Sequence, residues 1–149
     1  MGATFRRILH ATDFSTASRK AFAQAVDLAQ KDRARLWIAH VLISVGPIGV
    51  DGYATPRMYE EMEAAIRKSA SRRLERLVAR ARKSGARCEG MLVLGLPSDE
   101  ILRVARRYRA DLIVLGTHGR SGAARFFLGS VASRVVAGAP CPVLTVRGN

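Results

Sequence analysis

Glycine residues with a distinctive spacing follow a short apolar run in the last third of the chain. Gly116 and Gly119 are followed, after nine further residues, by Gly129 and Ser130. Glycines allow the backbone to turn and to approach a ligand closely, and a helix beginning near Ser130 would point its unpaired N–H groups at an anion. Because the run from Leu112 to Leu115 predicts a strand that feeds this loop, the pattern indicates a nucleotide phosphate site. A glycine-rich loop that only reverses the chain is the alternative.

Two other phosphate-binding patterns do not occur in the chain. The sequence contains no G-x-x-x-x-G-K-[ST] segment and no G-x-G-x-x-G segment after a predicted strand. These absences argue against P-loop chemistry and against a dinucleotide. Arg120 and Arg125 lie between the two halves of the glycine pattern and could neutralise phosphate charge. In a chain with this many arginines, a solvated surface role for them is an equally good interpretation.

Alternating apolar patterns predict the elements that would position these residues. Apolar runs predict five strands, at Ile8 to Thr12, Leu36 to Ile43, Met91 to Leu94, Leu112 to Leu115 and Val143 to Val146. Helices are predicted after Ser15, from Met58 to Ser84 with a stop at Gly85, after Pro97, and from Ser130 to Ala137. Strands separated by helices in this way predict a mostly parallel, doubly wound sheet.

Recurring apolar residues predict which helix faces pack on the sheet. They are Ala21, Phe22, Ala25, Leu28 and Ala29 in the first helix, Met62, Ile66, Ala70, Leu74, Leu77, Val78 and Ala81 in the second, and Ile101, Leu102, Ala105 and Tyr108 in the third. The other face of the second helix is strongly basic. The segment from Ser44 to Arg57 is long for a loop in a compact domain and stays unassigned, a lid over a bound base being one interpretation.

The length of 149 residues indicates one domain, which we place at residues 1–149. No run approaches the roughly 20 apolar residues of a membrane span, and the first residues lack the apolar segment and cleavage site of a secretory signal. Cys88 and Cys141 are the two cysteines, and neither belongs to a C-x-x-C pair. We therefore expect a cytoplasmic protein that has no membrane association and no disulfide framework.

The carboxyl ends of the strands are the expected place for a ligand. In a doubly wound sheet, ligands bind beyond these ends at the point where the strand order reverses. If the first and fourth strands are neighbours there, Thr12 and Asp13 face the same crevice as the loop that begins at Gly116. Both motifs would then contact one ligand.

Several motifs resemble those of the universal stress proteins. They are Ala11-Thr12-Asp13-Phe14-Ser15, Gly95-Leu96-Pro97, the segment from Gly116 to Gly122 with Gly129-Ser130-Val131-Ala132, and Pro140-Cys141-Pro142-Val143-Leu144. The resemblance covers nearly the whole chain, and the glycine spacing is its most specific part. It implies a single-domain α/β fold, an open five-stranded, mostly parallel sheet in the order 3-2-1-4-5 with helices on both faces, of the adenine nucleotide alpha hydrolase-like type. It also implies the ATP-binding branch of the family.

The resemblance implies roles for individual residues. Asp13 would lie near the ribose or bind a phosphate-bound Mg2+ ion, with helix capping as the alternative. Val41 would contact adenine, with plain core packing as the alternative. Ala132 lacks the hydroxyl that many members carry at this position, which puts one phosphate contact in doubt. The implied nucleotide-binding residues are Ala11, Thr12, Asp13, Val41, Gly116, Thr117, His118, Gly119, Arg120, Gly129, Ser130, Val131 and Ala132.

The implied function is that of an ATP-binding regulator of the stress response. The family pairs two copies through the last strand, so a homodimer through Val143 to Val146 is expected. Hydrolysis should be slow or absent because His118 and the loop arginines have no clear carboxylate partner beyond Asp13. His10, His40 and His118 fall on or just after neighbouring strands, so a metal site is a further hypothesis, although their spacing matches no ligand motif.

Two other functions stay open from the sequence. The net charge of +13 attracts nucleic acid or acidic partners, but aromatic residues make up only 6% of the chain and no nucleic-acid-binding signature occurs. We therefore expect only nonspecific, salt-sensitive association with nucleic acid. A nucleotide-independent dimeric signalling protein would use the apolar edge strand together with an unknown protein partner.

Overall fold

Strands and helices alternate along the chain in the computed structural model, which describes residues 2, 4–44, 55–118 and 128–148. The strands are β1 (Arg7–Ala11), β2 (Arg35–Leu42), β3 (Arg87–Leu94), β4 (Leu112–Gly116) and β5 (Val143–Val146). The helices are α1 (Thr16–Asp32), α2 (Pro56–Lys83), α3 (Pro97–Arg107) and α4 (Ser130–Gly138). Within this described part, no helix is both long enough and apolar enough to cross a bilayer.

All strand pairs are parallel, and the sheet has the order β3-β2-β1-β4-β5. Ile8 in β1 is in register with Leu36 of β2 on one side and with Leu112 of β4 on the other. The strand order therefore reverses between β1 and β4. This confirms the predicted order and the predicted contact between the first and fourth strands.

The sheet separates two apolar layers, because successive strand residues point to opposite faces. On one face, Ile8, Leu36 and Val114 pack in a cluster with residues of α1 and α2. On the other face, Leu9 and Ile113 belong to a cluster with residues of α3 and α4. The carboxyl ends of the central strands therefore open between two layers of helices.

Local signals in the sequence set several helix ends, of which those at Ser15 and Gly85 were predicted. Ser15 caps α1, and its side chain accepts a hydrogen bond from the backbone N–H of Ser18. Thr55 caps α2 in the same manner, with Pro56 at the first position of the helix. Gly85, which follows α2, has a φ of 93°, a conformation that favours glycine.

The start of β3 and the end of α3 differ from the sequence prediction, whereas most other boundaries agree within two residues. β3 begins at Arg87, whereas the sequence predicted a start at Met91. Glu89 and Gly90 are exposed on this edge strand and interrupt the apolar pattern, so the pattern located only the second half of the strand. Tyr108, which was expected on the inner face of α3, follows the helix as an exposed C-cap residue and contacts Trp37. The buried residues at this end of α3 are Val104 and Ala105.

The first half of α2 extends beyond the sheet. The helix has 28 residues, which is about 42 Å at 1.5 Å per residue, whereas an eight-residue strand such as β2 spans about 26 Å. Met62 and Ile66, which were predicted to face the core, are therefore 38% and 41% exposed, whereas Ala70 is buried. This overhanging segment stands beside the carboxyl ends of the strands.

Candidate functional site

A cleft with a volume of about 880 Å³ opens at the carboxyl ends of β1, β2 and β4. Its size lies within the range of small-molecule sites. The floor and strand ends contribute Ala11, Thr12, Asp13, Phe14, Ala39, His40, Val41, Leu42, Ile43, Leu115, Gly116, Thr117 and His118. The surrounding helices contribute Ser18, Ala65, Ile66, Ser69, Ala70, Arg73, Pro97, Ile101, Ser130, Val131 and Ala132, and Gly129 precedes α4. The two sequence motifs thus line one cavity, as predicted.

The turn after β1 is held by hydrogen bonds of Thr12. Its backbone N–H donates to the carbonyl of Ala39 at 2.9 Å, which ties the turn to β2. Its hydroxyl accepts a bond from the N–H of Phe14 at 3.0 Å and lies 2.6 Å from the hydroxyl of Ser18 in α1. Thr12 and Ser18 are both buried, so solvent does not compete for these bonds.

Asp13 lines the cleft next to this turn. Its Oδ1 atom accepts a hydrogen bond from the N–H of Ser15 at 2.9 Å. Because Ser15 is the capping residue of α1, the alternative in which Asp13 caps that helix is wrong. Asp13 instead stabilises the turn and places a carboxylate at the carboxyl end of β1.

Phe14 adopts a left-handed backbone conformation, with a φ of 64°. This conformation is costly for a bulky residue and places its ring on the α2 side of the cleft. The ring lies 4.5 Å from the ring of His40, between centroids, and the guanidinium carbon of Arg73 lies 4.6 Å from the Phe14 ring centroid. His40 is fixed in turn, since its Nδ1 atom is 2.8 Å from the carbonyl oxygen of Thr12. Phe14 thus links the end of β2 to α2.

Gly116 has a packing role in addition to its place in the cleft. A Cβ atom at this position would lie 2.8 Å from Cβ of Ala17 and 2.9 Å from the carbonyl carbon of Ala17. Only glycine therefore allows the start of α1 to pack directly on the end of β4. The glycine identity at this position follows from helix packing alone.

The start of α4 faces the cleft without a side-chain cap. Gly129 occupies the N-cap position, and its own N–H donates to the carbonyl of Thr117 at 2.7 Å. The first intrahelical bond runs from the N–H of Ser133 to Gly129 at 2.9 Å. The N–H groups of Ser130, Val131 and Ala132 have no acceptor within the helix, and the macrodipole adds positive potential there. This end of the cleft can therefore bind an anion.

The α3 and α4 side of the cleft is apolar. It is formed by Ala11, Ala39, Val41, Pro97, Ile101, Leu115 and Ala132. Val41 is half-buried, so it packs against the core and still reaches the cleft. A flat apolar group fits such a wall.

The three histidines do not form a metal site in the described part of the chain. His10 is fully buried, and its Nδ1 atom is 3.0 Å from the carbonyl oxygen of Val114. Nδ1 of His40 faces Thr12, and Nδ1 of His118 is 3.0 Å from the hydroxyl of Thr117. Among the described residues, no group of three or more His, Cys, Asp or Glu side chains could hold a metal ion.

Part of the predicted site lies outside the described residues. Gly119, Arg120 and Arg125 fall in the gap at 119–127, and most of the segment from Ser44 to Arg57 falls in the gap at 45–54. The remaining predicted residues all line the cleft: Ala11, Thr12, Asp13, Val41, Gly116, Thr117, His118, Gly129, Ser130, Val131 and Ala132.

Sequence reasoning missed the α2 wall of the cleft. Ser69 and Arg73 line it, as do Ala65 and Ile66, which sit on the overhanging half of the helix. The excess length of the predicted helix over the predicted strands was a usable signal for an overhang. No signal in the sequence predicted the left-handed conformation of Phe14.

The fold and the cleft first define a class: doubly wound α/β proteins with a ligand cleft at the point where strand order reverses. A sequence model described as the universal stress protein family then matches residues 4–147. A universal stress protein from Thermus aquaticus is 37% identical over 143 residues, covering 96% of this chain and 99% of the relative. The chain therefore belongs to the universal stress protein family.

Solved structures of similar proteins contain adenine nucleotides. A universal stress protein in complex with cAMP has a TM-score of 0.71 at 27% identity, with 99% of this chain and 100% of that chain covered. The universal stress protein from Archaeoglobus fulgidus in complex with dAMP has a TM-score of 0.65 at 26% identity, with coverage of 97% and 99%. Nucleotide binding is thus a property of structurally similar members of the family.

Proposed function

We propose that this protein binds ATP together with Mg2+ in the cleft and acts as a nucleotide-dependent regulator in the stress response. The observation that carries the proposal is the uncapped start of α4, which opens into the same cleft as an apolar wall beside Val41. A nucleotide needs both features, since its base is flat and largely apolar and its phosphates are anionic. The adenine nucleotides bound by similar proteins support the choice of ligand.

The residues present fit each part of this ligand. The wall around Val41 would hold adenine, and the N–H groups at Ser130 and Val131 would hold phosphate oxygens. Asp13 brings the one carboxylate that lines the described cleft, and it would accept hydroxyl hydrogen bonds from the ribose or bind Mg2+. The magnesium ion would neutralise phosphate charge that backbone N–H groups alone do not neutralise.

Substitution of Ser130 tests the anion site. Ser130→Asp places a negative charge at the start of α4, where it favours the helix dipole but repels phosphate. We expect ATP affinity to fall by about tenfold or more while the melting temperature is kept or rises slightly. Ser130→Asn has nearly the same volume without the charge and serves as the control. Calorimetric titration showing equal ATP affinity in the two variants would contradict the proposed phosphate position.

Hydrolysis is proposed to be slow or absent. Asp13 is the only Asp or Glu lining the described cleft, and one of its oxygen atoms already accepts the N–H of Ser15. A free general base for an attacking water is therefore missing from the described residues. We expect turnover well below about one per second, the lower end of the usual enzyme range. A phosphate-release assay exceeding that rate would contradict this part of the proposal.

The proposed assembly is a cytoplasmic homodimer that pairs through β5 and signals to an unknown protein partner. β5 is an edge strand, and Val136 of the neighbouring helix α4 is 46% exposed. The same edge would serve a nucleotide-independent interaction protein, which is the second candidate function. Ser130→Asp distinguishes the two candidate functions, because signalling by a nucleotide-independent interaction protein would be unaffected by the loss of ATP binding.

A further inference from the structure

Arg73 is the one Lys or Arg residue that lines the cleft in the described part of the chain. The ion pairs formed by described residues join Arg35 to Glu89, Arg57 to Glu61 and Arg103 to Glu100, so none of them includes Arg73. Its charge is therefore not neutralised by a described carboxylate. An unpaired guanidinium at a cavity wall has five N–H donors with which to bind an anion.

The Phe14 ring holds the guanidinium of Arg73 on the cleft side of α2. A cation over an aromatic face is attracted to it, and the 4.6 Å separation is well within the range of this interaction. Phe14 packs on His40, whose Nδ1 atom is bonded to the carbonyl of Thr12. Arg73 is thus positioned through a series of contacts that begins at the end of β1.

Ser69 adds a hydroxyl to the same wall. It lies four residues before Arg73 in α2, so the two side chains share one helix face, and both line the cleft. A guanidinium and a hydroxyl on neighbouring turns form a donor set suited to a phosphate group. The other basic residues of this half of α2, such as Arg76, do not line the cleft.

This donor set is separate from the start of α4. α2 packs in the cluster on one face of the sheet, whereas Ala132 and Val135 of α4 pack in the cluster on the other face. Arg73 lies against Phe14, which directly follows Asp13, the residue proposed to contact the ribose. The charge of Arg73 is therefore beside the expected ribose position and away from the expected 5′-phosphate position. In the NADP sites of other doubly wound proteins, an arginine near the ribose accommodates the 2′-phosphate.

We propose that Arg73 and Ser69 form a second anion subsite, which takes a phosphate group attached to the 2′ or 3′ position of the bound adenine nucleotide. This inference rests on the proposed nucleotide function. In this inference, the α2 side of the cleft binds a further phosphate group. A nucleotide with phosphates only at the 5′ position does not have this group. The preferred ligand class is thus adenosine with phosphates at both ends of the ribose.

Calorimetry with three probes tests this subsite. AMP, adenosine 3′,5′-bisphosphate and adenosine 2′,5′-bisphosphate are titrated at one fixed ionic strength into wild-type protein, Arg73→Gln, Arg73→Lys and Arg76→Gln. We expect one bisphosphate to bind wild type about tenfold more tightly than AMP. Arg73→Gln should lose this preference, so that it binds AMP and the bisphosphates with equal affinity, and Arg73→Lys should keep part of the preference because the charge remains. Arg76→Gln removes a charge from the same helix outside the cleft and should keep the full preference.

Each contrary result has a distinct meaning. Equal binding of AMP and both bisphosphates by wild type overturns the second subsite but leaves the nucleotide site intact. Retention of the full preference in Arg73→Gln, with its melting temperature unchanged, overturns the role of Arg73. Loss of AMP binding in Arg73→Gln to the same degree as bisphosphate binding shows a merely structural role for the contact with Phe14. Failure of wild type to bind AMP, ATP and both bisphosphates overturns the proposed function itself, and this inference with it.

Discussion

Small polar side chains fix the shape of the turn at the end of β1. The Thr12 hydroxyl accepts the N–H of Phe14, Asp13 accepts that of Ser15, and Ser15 accepts that of Ser18. Each bond closes over two or three residues, so the turn is largely determined by local sequence. A ligand that binds here meets a turn that is already ordered, which lowers the entropic cost of binding.

His10 gives a prediction about stability at mildly acidic pH. Burial lowers the pKa of His10 from its ordinary value of 6.5 to about 4, against the opposing effects of the bond to Val114 and the charge of Asp13. The unfolded chain therefore takes up a proton below pH 6.5, whereas the folded chain resists it until about pH 4. The contribution of neutral His10 to the unfolding free energy is therefore complete above pH 6.5. It is lost as pH falls toward 4, and the total loss is about 3 kcal/mol.

Urea unfolding at pH 7, 6 and 5 measures this effect. His10→Gln keeps a donor for the carbonyl of Val114 but cannot become charged, so its unfolding free energy should fall less steeply over this interval than that of wild type. Other groups that titrate contribute equally to both proteins and cancel in the difference. Parallel pH dependence in the two proteins would contradict the assignment to His10.

The predictable part of the site consists of residues whose role depends on their neighbours in sequence. The positions of Thr12, Asp13, Gly129 and Ser130 at strand and helix ends followed from local patterns, and all of them line the cleft. Arg73 could not be found this way, because its place depends on the contact with Phe14 across 59 residues of sequence, the difference between the two residue numbers. From the sequence, Arg73 was one of several basic residues on the face of α2 that was predicted to be solvated.

The contact between α1 and β4 can be tested directly by substitution of Gly116. Gly116→Ala would place a Cβ atom 2.8 Å from Cβ of Ala17 and 3.0 Å from the backbone nitrogen of Ser18. Overpacking of this kind typically costs about 1–3 kcal/mol, so we expect Gly116→Ala to destabilise the protein by that amount. Denaturant unfolding measures it.

The double variant Gly116→Ala with Ala17→Gly is the matched control. It removes the contact with Cβ of Ala17 but leaves the two close backbone contacts, so it should recover only part of the lost stability. Unchanged stability of the single variant would show that α1 can shift away from β4, and the packing account of Gly116 would then be wrong.

The order of elements was predictable, and the extents of some of them were not. Apolar runs bounded by Ser15, Gly85 and Pro97 were sufficient to place the helices and strands, because buried parallel strands are continuously apolar. β3 was predicted too short because an edge strand has exposed residues such as Glu89. The burial predicted for Ile66 was wrong. The spacing of apolar residues predicts which face of a helix packs on the sheet, but it does not predict how far the sheet extends along that helix.

The edge strand β5 should join two copies of the chain. The N–H of Ile113 donates to the carbonyl of Pro142, and that of Thr117 donates to the carbonyl of Val146. In a parallel pair, alternate residues point their backbone groups to one side, so Val143 and Thr145 point theirs to the outer edge.

Thr145→Pro therefore removes an outward N–H donor without removing a bond to β4. We expect sedimentation to show a dimer for wild type at micromolar concentration and a folded monomer for Thr145→Pro. Circular dichroism of the variant controls for unfolding. A monomeric wild type, or a variant that still dimerises fully, would contradict pairing through β5.

The cleft at the carboxyl ends of β1, β2 and β4 is proposed to be an ATP site. Its most direct test is calorimetric titration of purified, nucleotide-free wild-type protein with ATP in the presence and absence of Mg2+. We predict saturable binding of about one ATP per chain that is stronger with Mg2+. Absence of binding by the folded protein under both conditions would contradict the account, and the nucleotide-independent interaction protein would then be the better description.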